Sequence, residues 1–135
     1  MIEWNEVLNK RALEAFAALT GHFHDGCIKE LRYVSGAYVA ANLGMVPLND
    51  RRVLRMLVQC QSREHPVIEL EFSGLKTLTL SPVGTDYTCE ISEAVMRMED
   101  GQIYWSDGCD TTVCAETLRW RLLGEDCLGD RELYG

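Results

Sequence analysis

The sequence predicts an α+β fold in which one N-terminal helix packs on a large, twisted, mostly antiparallel sheet of sequential hairpins. Three observations lead there. Residues 53–80, VLRMLVQCQSREHPVIELEFSGLKTLTL, alternate in polarity on both sides of a polar turn at 62–66. Leu54, Met56, Val58 and Cys60 share one face, with Arg55, Gln59 and Gln61 on the other; then Ile68, Leu70 and Phe72 oppose Glu69 and Glu71. A period of two is what a sheet with one buried and one wet face requires. Residues 5–19 instead repeat their apolar positions at three and four, the period of a helix. Finally, turn dipeptides such as Ser35-Gly36 and Asp100-Gly101 separate further alternating runs, as in a chain of hairpins.

Taken in order, the helix spans about residues 5–19, with Leu8, Ala12, Ala15, Phe16 and Leu19 as its apolar stripe and Trp4 one turn before it. Asn5 is its expected N-cap and Gly21 its stop. The strands fall within about 26–122. The first runs over 27–34 and turns at Ser35-Gly36 into a second over 37–43. Gly74 marks a bulge or bend in the long strand after the central turn. Residues 87–98, beginning at Tyr87, read as one strand with a bulge near Ser92-Glu93 that restores its alternation. After Asp100-Gly101, Ile103 and Trp105 face inward; over 112–122, Leu118, Trp120 and Leu122 face inward and Thr117, Arg119 and Arg121 outward. The acidic, glycine-broken stretch 124–135 reads as a loosely held tail. With no repeat or linker, residues 1–135 are expected to form a single domain around one core.

Composition narrows the function. The longest apolar stretches fall well short of a membrane span, and the charged N-terminus lacks the apolar core of a secretory signal, so a soluble, cytoplasmic protein with no membrane partner is expected. The six cysteines contain no C-x-x-C pair; they read as reduced and mostly buried, Cys60 and Cys89 among them, and not as a zinc site. Net charge is −8, and the basic residues are scattered, which disfavours nucleic acid. An acidic surface suits a protein partner, a basic one above all; homo-oligomerisation is a further option.

Candidate chemistry is sparse. His22 and His24 project to one side of an extended segment, and Asp25 could complete a metal site with them. That set defines the less favoured reading, a metal-dependent enzyme. The favoured one gives His24 and Asp25 a structural role, with the Asp25 carboxylate accepting backbone N–H groups between helix and sheet. Cys27 and His24 could pair only by defying strand alternation, and neither a nucleophile elbow nor a phosphate loop is present. Glu69 and Glu71 read as a solvated sheet face. No catalytic residue or cofactor follows, and an enzyme is the weaker expectation. A small-molecule carrier enclosed by the curved sheet is the remaining alternative. Tyr104, opposite Trp105, is the candidate for an exposed contact.

The run Phe23-His24-Asp25 with Ile28 opening the first strand resembles the F-H-D-x-x-I start of small bacterial immunity-like domains. IELEFSGL resembles the strand of that family in which an apolar residue follows a glycine. The resemblance implies a protein that acts by binding, with no enzymatic activity, and makes Phe23, His24, Asp25 and Ile28 fold-defining.

Overall fold

The computed structural model describes residues 3–85 and 88–135. In chain order its elements are β1 (Asn5–Glu6), α1 (Lys10–Leu19), β2 (Gly26–Val34), β3 (Tyr38–Val39), β4 (Met45–Val46), β5 (Val53–Cys60), β6 (Val67–Thr79), β7 (Glu90–Ile91), β8 (Val95–Glu99), β9 (Gln102–Ser106) and β10 (Thr112–Leu123). All but β3 and β4 join one antiparallel sheet in the order β7-β2-β5-β6-β10-β9-β8, with β1 also on β10. The α+β class is therefore as the sequence reads it.

The alternation of the central hairpin decides the core. Leu54, Met56 and Val58 of β5 lie opposite Phe72, Leu70 and Ile68 of β6, and all six are fully buried, as is Trp105. Removing each such side chain from water contributes roughly 1.5–3 kcal/mol. Trp120 is half-buried and stacks on Phe16 at 4.6 Å between ring centres. From there a chain of edge-to-face contacts runs through Phe23 (5.6 Å) to Trp105 (5.7 Å). Gly74 bends β6 with φ +66°, and the ladder to β10 slips close by, between Cys114 and Ala115. The bend expected at that glycine is present.

Several boundaries differ from the sequence reading, each for a physical reason. The helix begins five residues later than expected, because Asn5 and Glu6 pair with Trp120 and Arg119 of β10 beyond the reach of β9. Asn9 is the N-cap instead, its Oδ1 accepting from Ala12 N at 2.8 Å. The buried stripe becomes Leu13, Phe16 and Ala17, and Leu8 and Leu19 face water. The strand expected over 37–43 does not join the sheet; β3 and β4 form a separate two-stranded arm. The tail is not loose. Gln59 Nε2 donates to the carbonyls of Cys127 and Gly129, and Glu30 accepts from Leu133 N and Tyr134 N.

The largest difference concerns 87–98, of which Tyr87 lies outside the described residues. The slip at Ser92-Glu93 is no bulge. It divides β7, which pairs with β2 at one edge of the sheet, from β8, which pairs with β9 at the other. Only residues 92–94 separate the two edges, and four Cα steps reach at most about 14 Å. The sheet must therefore curl until its edges nearly meet, and the segment Gly21–Phe23 with His24 and Asp25 sits at that seam.

Candidate functional site

The seam explains the Phe23-His24-Asp25 motif. Asp25 N donates to Ile91 O, Ala94 N donates to His22 O at 2.7 Å, and His24 Nδ1 donates to Ser92 O at 2.7 Å. Left-handed backbone at Gly21, His22, Phe23 and Asp25 makes this tight path. Phe23 is fully buried in the aromatic chain; Ile28 is half-buried against the core. Asp25 behaves differently from the expectation. Its carboxylate is about 44% exposed and, among the described residues, pairs with His24 Nε2 alone (3.3 Å), while its main chain, not its side chain, makes the local hydrogen bonds.

The three candidate ligands His22, His24 and Asp25 do not converge. The turn that hands the His22 carbonyl to Ala94 leaves only His24 and Asp25 in contact, and no group of three His, Cys, Asp or Glu side chains suited to a metal occurs among the described residues. The His24 bond to Ser92 O, aided by the Asp25 charge, raises the pKa of the imidazole. Burial raises Cys27, with neighbouring Cys89 adding to it, and pushes Cys60 up to about 11. Thiols held protonated in this way are poor nucleophiles. No disulfide joins the six cysteines; Cys89, expected to be buried, is exposed because it lies just before the two-residue edge strand β7 and outside the sheet. Tyr104 is half-buried under the Arg97 guanidinium, 4.6 Å from its ring centre.

Two features that the linear sequence hides stand out. One is the arm. Tyr38, Val39, Leu43, Met45 and Leu48 are all exposed, Leu43 at its tip by 83%. The turn is well formed, with Leu43 N donating to Ala40 O and Gly44 N to Asn42 Oδ1. Within it Leu43 takes φ +72°, a left-handed conformation that costs a non-glycine residue about 1 kcal/mol or more.

The other is the polar face of the sheet. Register lines up Arg32, Arg55, Glu71 and Arg119 as one row across β2, β5, β6 and β10. Glu71 Oε2 accepts from Arg55 Nε (2.8 Å) and its Oε1 from Arg119 Nε (2.7 Å). In the next row Glu69 accepts from Arg121 Nε (2.7 Å) and from the Tyr134 hydroxyl (2.6 Å). Trp4 roofs the rows, its ring centre 4.4 Å from the guanidinium carbons of both Arg119 and Arg121. With the tail alongside, Glu69 and Glu71 are only 2% and 6% exposed, so the solvated acidic face expected from alternation is a covered ionic network. Burial pushes the Glu71 carboxyl up, but the hydrogen bonds and charges of Arg119 and Arg55 outweigh it and hold the group below its ordinary range. Arg51 joins Arg32, Arg55, Arg119 and Glu71 around a pocket of about 180 Å³ at the foot of the arm. Outward placement of Arg32, Arg55 and Arg119 was readable from alternation; their alignment needed the register of four strands.

A wider cleft of about 440 Å³ lies between β2, residues 80–84 with Cys89, and the 107–111 loop, lined by Ile28, Leu31, Leu80, Pro82 and Asp107 among others. No helix is long and apolar enough to cross a membrane among the described residues. Compared with family models, with curated proteins and with solved structures, the chain matches none.

Proposed function

We propose that this chain is a non-enzymatic protein-binding domain of the immunity-like kind, and that the arm over residues 38–48 is its contact surface. Leu43 is the observation that carries the reading. A turn selected for stability would hold glycine or asparagine at a left-handed position and would not hold a leucine in water. Here both costs fall on one residue, flanked by four further exposed apolar side chains. Contiguous exposed apolar surface of this kind marks an interaction site. The partner accordingly offers an apolar groove. The chain's charge of −8 favours a basic protein, whose association should slow as salt is added.

A photo-crosslinking residue placed at Leu43 or Met45, with Val83 as an exposed control, tests this in cells. The expected result is a discrete adduct from 43 and 45 but not from 83. Reconstituted with the purified partner, the complex should protect the arm from hydrogen exchange and weaken with Leu43→Asp. Equal adducts from all three positions would defeat the reading. A dimer abolished by Leu43→Asp would make the partner a second copy.

The 440 Å³ cleft favours a second reading, a small-molecule carrier, since it falls in the size range of ligand sites. Native mass spectrometry of the purified protein would reveal a retained ligand, which Leu80→Trp should displace.

A further inference from the structure

We infer that the pocket at the foot of the arm, bounded by Arg32, Arg51, Arg55, Arg119 and Glu71, binds a phosphate-type oxyanion. The inference rests on the register of the polar face and stands whether or not the arm binds a protein. Four guanidinium groups surround one carboxylate, leaving a local charge of +3 in a chain whose net charge is −8. Arg32 and Arg55 are direct cross-strand partners. Like charges placed directly opposite destabilise a sheet, and here nothing among the described residues neutralises the Arg32 side: neither Arg32 nor Arg51 has an ion pair or a side-chain hydrogen bond. Glu71 takes only the Nε–H of Arg55 and of Arg119. Their terminal amino groups make no hydrogen bond among the described residues, so each guanidinium keeps donors in reserve.

The positions of these donors are fixed before any ligand arrives. Arg55 and Arg119 are held by Glu71 from below, and Trp4 lies 4.4 Å from Arg119 and 6.0 Å from Arg55. Planar guanidinium forks match the paired oxygens of phosphate, and such charge-assisted bonds are about twice as strong as neutral ones. A pocket of 180 Å³ suits a small anion, being below the roughly 300–1,000 Å³ of sites for larger organic ligands. The chain's overall negative charge does not oppose this at close range. At physiological salt, exposed charges beyond about 8 Å are largely screened, and the nearest groups decide.

Isothermal titration calorimetry at low salt, with pyrophosphate, inorganic phosphate and O-phosphoserine, tests the site. Wild type should bind with saturable, one-to-one stoichiometry. Arg32→Gln or Arg51→Gln should each weaken binding about tenfold or more, about 1.4 kcal/mol, while Lys76→Gln, outside the pocket, should not. Tightest binding of the inorganic anions would identify a free phosphate; tightest binding of O-phosphoserine would identify a phosphorylated side chain. Either result supports the site. Without anion, Arg32→Gln should raise the Tm by relieving the Arg32–Arg55 opposition, which separates lost binding from lost folding. Absence of saturable binding of all three anions, unchanged binding by the Arg32→Gln/Arg51→Gln double variant, or a Tm lowered by Arg32→Gln would each overturn the inference.

Discussion

Leu43 and Asp25 pull against simple rules of residue choice in opposite ways. Leu43 sits where its backbone and its side chain are both disfavoured, so Leu43→Asn should stabilise the isolated protein by about 1 kcal/mol. A rise in urea midpoint at unchanged m-value would register it. Asp25 resembles a buried cap in sequence, yet its side chain is nearly half exposed and makes no backbone hydrogen bond among the described residues. Asp25→Ala should therefore change stability by no more than about 0.5 kcal/mol, less than His24→Ala, which loses the bond to Ser92 O. His24 also has a pH signature. Its folded pKa is raised above 6.5, so its contribution is complete below that pH and is lost as the pH climbs through the folded value. The His24→Ala deficit should shrink from pH 6 to pH 8; a constant deficit would mean that the imidazolium charge adds nothing to the Ser92 bond, which a neutral ring with Nδ1–H also makes.

Among the elements, the C-terminal segment departs most from its composition. Acidic and glycine-broken, it reads as a tail, but Tyr134 buries its hydroxyl against Glu69 and its main chain bonds Glu30. Burial, followed by the Glu69 hydrogen bond, raises the Tyr134 pKa strongly. Tyr134→Phe leaves one buried Glu69 oxygen without this donor and should cost about 1–3 kcal/mol, measurable by thermal unfolding. A neutral result would mean that the segment detaches readily. The connections outside the sheet make a separate forecast about thiols. Cys89 and Cys109 should label rapidly in the native state, and buried Cys60 and Cys114 slowly, by timed alkylation and mass spectrometry.

At the scale of the molecule, the ionic face gives stability an acid limit. Glu71 has its pKa lowered despite the opposing effect of burial, and so has Glu30, where bonds from Leu133 and Tyr134 outweigh it. A carboxylate whose folded pKa is depressed contributes above its unfolded value and loses that contribution as pH falls through the folded one. Stability should accordingly decline from about pH 4.5 downward, the ordinary value of these groups. Glu71→Gln should flatten part of that decline while lowering stability at pH 7, since four arginines then surround one neutral amide. A Tm profile from pH 7 to pH 3 would show both effects.

Alternation within residues 53–80 was enough to specify the central hairpin, its buried side chains and the bend at Gly74, because a period of two is a local property of the chain. Helical spacing likewise gave the N-terminal helix, though two asparagines competed for its cap and only the free edge of β10 decided for Asn9. The motif at 22–25 was visible in sequence, but its place at the seam was not. Closure depends on β7 and β8 lying at opposite edges, and a three-residue crossing looks like a bulge in linear form. The arginine row was least visible of all. Arg32, Arg55, Glu71 and Arg119 are scattered along the chain, and each alone is an ordinary outward-facing strand residue. Non-local pairing places them side by side, and a shift of one residue in any strand would turn its member of the row to the other face. Local pattern fixes which way a side chain points; only the register among strands decides what it points beside.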